Sequence, residues 1–528
     1  MGAGHKRRDK GAGSAGNLQA RNRRVQYAVA IVVAGCSAAL LWLFPLPAWL
    51  DNRIGSASAP SPDALLDPSL RTSGPLSQTV FERNLVSRRL SARTVVAEHG
   101  GFHFNVSRRL SPGLCLGFVA PWSRRGDEVT WRFGSKLTHL SPIMFGVDAA
   151  GSLKLLEKPR WLTTLRDGLA CPACPPPARI VPHVSLAGLD FATFFADDAE
   201  HEERAGRLLL ALLQQYVTLK LDGLVLDAHQ HLARLSRDER RIVAPRLHIF
   251  VQLLAQQLSM QEREHSDSAA KRATKSGSDA KSAKSGSDAT STSGSTSGSD
   301  ASDAKSASVA EGASDATSAS DAESSKDADG TADADVDGGE LLLLVPPHPE
   351  LFSPTQYAQL AAALSGVVVS TANFSSVRGT PGPSAPLKWM IAALRALEPT
   401  PEAMPRMMAS LSLHGWDFEL DGQPANGAGG KGQQSSGADG KQTVAARAID
   451  GDEYVALLAA HRPRTIEWKA DAHEHVFSYT AAEGGRAHSV YYPSLKSLQE
   501  RLMVLRELGL GVALWELGSG LDYWWDLL

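Results

Sequence analysis

Eight short apolar runs alternate with segments of helical periodicity, and this alternation constrains the fold more than any other feature of the sequence. Helical spacing is clearest at 200–217, where Leu208, Leu212 and Tyr216 recur on one face, and at 242–258. The apolar runs lie at 114–119, 137–147, 180–186, 221–226, 341–345, 367–371, 407–413 and 511–516. Strands that alternate with helices are typical of parallel βα units, so eight of them predict a closed (β/α)8 barrel of the α/β class.

Two insertions interrupt the predicted barrel, which we assign to 113–528 after a packed lead-in segment at 77–112. The first, 266–339, repeats Ser, Asp, Ala and Gly with almost no large apolar residue, so we expect it to be disordered. The second, 423–441, is rich in glycine but lacks the strand-to-helix context of a phosphate-binding loop. Alternating apolar and polar residues predict a small α+β inset at 449–493, between the seventh and eighth strands.

An uncharged apolar segment at 25–50 is long enough to cross a bilayer, which takes about 20 residues. The basic tail at 1–24 precedes it, and such a flank stays on the cytoplasmic side. The sequence therefore predicts a single-pass type II membrane protein of the endomembrane system, with a stalk at 51–76 and a lumenal or extracellular barrel. Small residues at 56–59 leave open a cleaved form that is secreted or lysosomal.

Charge is distributed very unevenly along the chain. The whole chain carries −3, the tail at 1–24 carries +6 and the segment 266–340 carries −8, which leaves −1 for the rest. Nucleic-acid binding requires a basic surface, because lysines and arginines must neutralise phosphates. We therefore expect no nucleic-acid partner.

Cysteines and sequons give the remaining local signals. Cys171 and Cys174 form a C-x-x-C pair that three prolines follow. Since no second pair and no helix N-terminus follow, a local disulfide or two idle thiols is favoured over a redox or zinc site. Asn105 and Asn373 begin N-x-S sequons, which predict N-glycosylation in a lumenal protein.

The fourth predicted strand ends in Asp222-Gly223-Leu224-Val225-Leu226-Asp227-Ala228-His229. This sequence resembles the Asp-Gly-x-Asp-x-Asp-x-Glu signature of glycoside hydrolase family 18. Further stretches are similar to one catalytically degenerate branch of that family, and they lie at 117–122, 133–142, 461–464, 492–499 and 514–523. The resemblance covers about residue 80 to the C-terminus apart from the insertions. It implies a (β/α)8 barrel with its site at the carboxyl ends of the strands.

The resemblance also implies what the site has lost. In family 18 the 2-acetamido oxygen of the substrate attacks the anomeric carbon, an Asp orients it, and a Glu at the end of the signature protonates the leaving oxygen. Asp222 and Asp227 match the first and third aspartates. Val225 replaces the middle aspartate, His229 replaces the acid, and 370–373 lacks the Tyr and Asp of the sixth-strand motif. Because a general acid contributes about 10²–10⁴-fold to the rate, we expect no efficient hydrolysis.

Aromatic side chains near the predicted strand ends favour saccharide binding, because a flat apolar ring can pack against a sugar ring. They are Trp122, Trp389, Trp416 and Trp515. By resemblance, Trp515 matches the tryptophan that floors the central sugar subsite in family 18. The polar candidates at the same end are Asp227, His229, Asn373 and Glu516.

Two His-x-His pairs are candidate metal ligands by residue type: His229 with His231, and His473 with His475. A zinc site takes three or four protein ligands, and no third ligand is recognisable in the sequence. We therefore expect solvated histidines at these positions, no metal and no cofactor.

These observations predict a chitinase-like lectin that binds a chitooligosaccharide or another N-acetylated glycan without hydrolysing it. The expected partners are a glycan and the membrane. Three alternatives stay open at this point. They are a hydrolase that uses His229 as an unusual acid, a protein-interaction scaffold with an unused pocket, and a redox protein that acts through Cys171 and Cys174.

Overall fold

The computed structural model describes residues 72–528 apart from 111–112, 158, 170–177, 197, 283–338, 349–350, 398, 421–444 and 482–484. Several predicted features lie outside the described residues. They are the tail at 1–24, the membrane span at 25–50, most of the stalk, Cys171 and Cys174, most of the 266–339 insertion and the segment 423–441. Within the described ranges, no helix combines the length and the hydrophobicity that a membrane span requires.

The first described elements connect the lead-in segment to the end of the chain. They are β1 (Ser73–Leu76), α1 (Ala92–Glu98) and β2 (Gly100–His103), and β1 pairs with β2 in parallel. The carboxylate of Asp526 accepts hydrogen bonds from the backbone of Val80 at 2.9 Å and of His103 at 2.8 Å. The short helical turn Asp522–Leu527 therefore holds the lead-in segment in place.

Strands and helices alternate from Cys115 onward. The strands up to the inset are β3 (Cys115–Val119), β4 (His139–Val147), β5 (Leu153–Leu155), β6 (Arg179–Ile180), β7 (His183–Ser185), β8 (Gly223–Asp227), β9 (Glu340–Val345), β10 (Gly366–Val369) and β11 (Met407–Ser412). The helices are α2 (Gly126–Phe133), α3 (Pro159–Leu169), α4 (Phe191–Phe194), α5 (His201–Leu219), α6 (His229–Arg234), α7 (Arg237–Ser282), α8 (Pro354–Ala363), α9 (Phe374–Arg378) and α10 (Leu387–Arg395). Helix α7 runs past residue 266, the predicted start of the first insertion.

An antiparallel sheet follows β11. Its elements are β12 (Gly415–Leu420), β13 (Ala445–Ile449), α11 (Gly451–His461), β14 (Glu467–Lys469), β15 (Glu474–Thr480) and β16 (Ala487–Tyr491). The strand order is β13-β12-β16-β15-β14. Because β12 belongs to this sheet, the inset begins well before residue 449, the predicted boundary.

Helix α12 (Leu495–Glu507) and strand β17 (Gly511–Trp515) complete the barrel. The eight parallel strands run in the order β3, β4, β7, β8, β9, β10, β11 and β17. Strand β17 then pairs with β3, for example through Val512 and Cys115, which closes the sheet. The predicted (β/α)8 barrel is confirmed, and each of the eight predicted apolar runs contains barrel strand residues.

Alternate residues of the barrel strands point inward and pack together. The central cluster contains Leu116, Phe118, Val181, Val225, Leu342, Leu344, Val368, Met408 and Ala513. A fully buried side chain of this kind contributes about 1.5–3 kcal/mol to folding. Since side chains alternate along a strand, Asp227 points the same way as Val225, and the interior becomes polar at the carboxyl end of β8.

Candidate functional site

Asp227 is the central polar residue at the mouth of the barrel. It is the last residue of β8 and is 8% exposed. Its carboxylate accepts hydrogen bonds from His183 Nε2 at 3.0 Å and from His229 Nδ1 at 2.5 Å. The backbone N–H of His229 donates to the same carboxylate at 3.1 Å. Residues from β7, β8 and the start of α6 thus meet at one point.

The two histidines control the charge of Asp227. Burial by itself raises the pKa of this carboxyl, but the hydrogen bonds from His183 and His229 outweigh burial and hold the pKa well below its usual range. Asp227 is therefore ionised at neutral pH. The side chain of His229 is 25% exposed, so the ring reaches the surface of the mouth.

His183 presents an unused polar atom beside this carboxylate. The residue is only 2% exposed, and its Nδ1 has no hydrogen-bond partner within the described part of the chain. Ser141 is fully buried, and its hydroxyl likewise lacks a partner among the described residues. It pairs with Phe118 across β3 and β4, which places both on the inner face. A buried polar atom without a partner costs about 1–3 kcal/mol, so such atoms at a barrel mouth are candidate ligand contacts.

Trp515 supplies an aromatic surface next to the histidines. It is the last residue of β17, and its ring centroid lies 4.8 Å from that of Phe118 and 6.0 Å from that of His183. The residue is only half-buried. The core therefore fixes the position of the indole while part of the ring remains accessible.

Trp416 and Asn373 form a second pair. The indole Nε1 of Trp416, on β12, donates to Asn373 Oδ1 at 3.2 Å. Asn373 precedes α9 with a left-handed backbone, φ 61°, which Asn adopts more readily than most residues. Both residues are half-buried. Two of the predicted saccharide-binding residues thus position each other.

Glu516 lies directly after Trp515 and is hydrogen-bonded to Trp122. Burial raises the pKa of Glu516 to about 7, although the hydrogen bond from Trp122 opposes this shift. Trp122 itself is 62% exposed. Near neutral pH the carboxyl therefore exists in both forms, and it can donate or accept a hydrogen bond.

Trp389 is held by packing contacts. Its ring centroid lies 4.7 Å from that of Phe374, and the guanidinium of Arg378 lies 3.7 Å from the Phe374 centroid. Across the described ranges, no ring contact or hydrogen bond joins Trp389 to Asp227 or Trp515. These contacts show α10 packing against α9, and they do not make Trp389 part of the Asp227 cluster.

Asp222 directly precedes β8 and lies at the opposite end of that strand from Asp227. Its Oδ2 accepts a hydrogen bond from the backbone of Ile180 at 2.6 Å. At about 3.3 Å per strand residue, the separation from Asp227 is about 16 Å. Asp222 therefore fixes the start of the strand.

Sequence reasoning missed His183. The residue lies within the apolar run 180–186. A polar side chain at an inward position near the end of a predicted barrel strand could have identified it as a site residue. Its contact with Asp227 depends on the pairing of β7 with β8, where His183 lies opposite Val225. That register is a tertiary property, so the sequence did not reveal it.

The described residues contain no group of three His, Cys, Asp or Glu side chains that could hold a metal ion. The prediction of solvated histidines is wrong for His475, which is 1% exposed and lies 2.7 Å from the Ser494 hydroxyl. His231 donates through Nε2 to the carbonyl of Ala187 at 2.6 Å. These histidines therefore stabilise local structure.

Comparison with known proteins shows which solved structures have a fold similar to that of this chain. No protein-family model matches the chain. The spore cortex-lytic enzyme SleL of Bacillus megaterium QM B1551 matches with a TM-score of 0.50 and 14% identity, over 80% of this chain and 73% of that chain. The C-terminal domain of a predicted chitinase from Desulfitobacterium hafniense DCB-2 matches with a TM-score of 0.50 and 16% identity, over 78% of this chain and 96% of that chain. The likeness is one of fold.

Proposed function

We propose that this chain is a chitinase-like lectin that binds a chitooligosaccharide or another N-acetylated glycan without hydrolysing it. One observation carries the proposal: an ionised carboxylate, Asp227, is held by two histidines beside the accessible ring of Trp515. An apolar surface with a few convergent polar groups is the usual composition of a ligand pocket. Saccharides match it, since they combine apolar ring faces with hydroxyl groups.

Membership of the glycoside hydrolase family 18 superfamily is part of this proposal. Two of the solved structures that share the fold are named as a spore cortex-lytic enzyme and as the C-terminal domain of a predicted chitinase. The chain carries a degenerate form of the family signature at 222–229. The stretches at 117–122 and 514–523 favour the branch that chitinase domain-containing protein 1 represents.

The absence of efficient hydrolysis is inferred from the positions of the signature residues. Val225, at the place of the middle aspartate, is fully buried in the barrel core. Asp222 is hydrogen-bonded at the opposite end of the strand. Asp227 is then the only signature carboxylate left at the mouth, and His229 occupies the place of the acid. Loss of a general acid lowers turnover by about 10²–10⁴-fold.

One contact favours a second candidate function, hydrolysis with His229 as the acid. Asp227 accepts a hydrogen bond from His229 Nδ1 at 2.5 Å, as the aspartate of a catalytic triad orients its histidine. The other ring nitrogen, Nε2, has no hydrogen-bond partner among the described residues, so a ligand at the mouth could exchange a proton with it. The His229→Ala variant tests this candidate directly, because it would abolish any turnover.

We further propose a type II membrane protein with its anchor at 25–50 and its barrel in the lumen, or a secreted or lysosomal product after cleavage. Of the two sequons, Asn105 is exposed, and its Oδ1 accepts a hydrogen bond from the Ser107 hydroxyl at 3.0 Å. Asn373 is half-buried and bonded to Trp416. N-glycosylation at Asn105 is therefore favoured over Asn373.

The test is calorimetric titration of chitotetraose into the full chain. Trp515→Ala should weaken binding at least about tenfold, because the ring supplies the apolar contact. Trp131→Ala is the matched control, since Trp131 is a 45% exposed tryptophan on α2 and should leave affinity unchanged.

Each outcome separates the candidates. Saturating heat that depends on Trp515 supports the lectin. Heat that continues until the sugar is consumed, and that His229→Ala removes, supports the hydrolase and contradicts our proposal. If no heat is seen and Trp515→Ala leaves the binding of protein partners intact, the result supports the protein-interaction scaffold.

A further inference from the structure

A second cavity, outside the Asp227 cluster, lies between α7 and α8. Its volume is about 300 Å³, and its lining includes Arg237, Arg240, Arg241, Pro245, Leu351 and Gln356. Three arginines of α7 thus line one side of a cavity that also has apolar walls. Neither the family resemblance nor the proposed function gives these residues a role.

Within the described part of the chain, one ion pair compensates the positive charge of this cavity. Arg241 is 4.0 Å from Asp238, whose side chain is 93% exposed, so that pair is weak. Arg237 has no hydrogen bond or ion pair to the described residues. Buried Arg501, by contrast, donates to Glu474 at 2.9 Å. Among the described residues, the arginines of this cavity therefore lack a buried carboxylate partner like that of Arg501.

Arg240 adds directional donors. Its Nη1 donates to His348 Nε2 at 2.7 Å, so this partner is an imidazole and not a carboxylate. Its Nε is buried and has no partner in the described ranges. The side-chain oxygen of Gln356 accepts from the backbone of Ser353 at 2.9 Å, which leaves its amino group free to donate.

The position of the cavity relates it to the barrel mouth. Helix α7 follows β8 after the short α6, and α8 follows β9, so both helices begin at the end of the barrel that holds Asp227. A helix N-terminus carries partial positive charge, which adds to the field of the arginines. Pro245, which is exposed, provides apolar surface beside these charges.

We propose that this cavity binds a sulfate or phosphate group, carried as an ester by the glycan at the barrel mouth. The inference rests on the proposed function for the glycan, whereas the anion site rests on the arginines alone. Arginine binds tetrahedral oxyanions through paired N–H groups, which is stronger than a neutral hydrogen bond. The exposed ring of Pro245 would contact the sugar that carries the ester.

The test is calorimetric titration of the full chain with chitotetraose, with a sulfated chitotetraose and with inorganic sulfate. We expect the ester to raise affinity about tenfold, and the gain to shrink as the NaCl concentration rises. The double variant Arg237→Gln/Arg241→Gln should lose this gain and keep its affinity for the neutral sugar. The control Arg263→Gln/Arg395→Gln removes two exposed arginines elsewhere, with the same change in net charge, and should keep the gain.

Several results would overturn the proposal. The first is equal affinity of the wild type for the neutral and the sulfated sugar. The second is a control variant that loses the extra affinity for the sulfated sugar as fully as the double variant does. If inorganic sulfate binds through Arg237 and Arg241 but the sulfated sugar binds no more tightly than the neutral sugar, the anion that this cavity binds is not carried by the glycan. Failure of the proposed function looks different: the neutral sugar does not bind, although the anion still binds and depends on both arginines.

Discussion

The two ends of the barrel contain similar residues in different states. At the amino end, Glu340 accepts hydrogen bonds from His139 at 2.7 Å and from Arg179. At the carboxyl end, Asp227 accepts from His183 at 3.0 Å and His229 at 2.5 Å. Both are buried carboxylates with imidazole partners, so residue type alone does not distinguish them.

The difference lies in what remains unpaired. At the amino end the second nitrogen of His139 lies 2.8 Å from the Thr138 hydroxyl, so the ring is satisfied on both sides. At the carboxyl end His183 Nδ1 and the Ser141 hydroxyl have no partner among the described residues. A saturated network stabilises the fold, whereas unpaired atoms beside an accessible aromatic ring are suited to a ligand.

The largest expected effect comes from Glu340→Ala. This change leaves His139 and Arg179 without their carboxylate, so the free energy of unfolding should fall by about 2–4 kcal/mol. Affinity for chitotetraose should stay unchanged. Guanidinium unfolding and calorimetry measure the two quantities, and Glu340→Gln is the milder control. A parallel loss of affinity would contradict the division between the two ends.

A matched pair of hydroxyl deletions is expected to have the next largest effect. Thr138 accepts from the backbone of Cys115 at 2.8 Å, so Thr138→Val should lower the free energy of unfolding by about 1–3 kcal/mol. Ser141→Ala removes a hydroxyl without a partner, and the change should stay within about 1 kcal/mol. Urea unfolding of both variants checks this. An equal loss in both would show that Ser141 is satisfied in the free protein.

Asp227→Asn should act mainly on the ligand. Loss of the charge weakens the hydrogen bonds that hold both histidines, so we expect affinity for chitotetraose to fall about tenfold by calorimetry. The pKa of Asp227 is depressed in the folded state, so its contribution to stability is present above pH 3.8 and is lost as the pH falls below that value. The variant should lack this acid-dependent contribution, and unchanged acid unfolding would argue against an ionised Asp227.

The smallest expected effect concerns Glu516. Its folded pKa is raised from 4.5 to about 7, so its contribution to stability is present below pH 4.5 and is lost as the pH rises toward 7. Melting temperatures at pH 5 and pH 8 should therefore differ more in the wild type than in Glu516→Gln. Identical differences in the two proteins would mean that Glu516 titrates normally.

The barrel could be predicted because each strand is an apolar run and each helix has its own period. The same run at 221–226 gave the location of Asp227, since the residue that ends a barrel strand is at the mouth. Asp222 belongs to the same signature but lies at the opposite end of β8, because the signature spans the whole strand. His183 was missed because its partner is more than forty residues away.

The sequence by itself determined the eight strands, their alternation with helices and the presence of Asp227, His229 and Trp515 near strand ends. Those properties follow from local periodicity and from the order of the chain. Only the tertiary structure decided that His183 and His229 share one carboxylate, that Trp416 holds Asn373, and that three arginines surround one cavity. The contacts of His183 with Asp227, of Trp416 with Asn373, and of the α7 arginines with the cavity walls at Leu351 and Gln356 depend on strand register and helix packing. Such packing joins residues far apart in sequence and so leaves no local pattern.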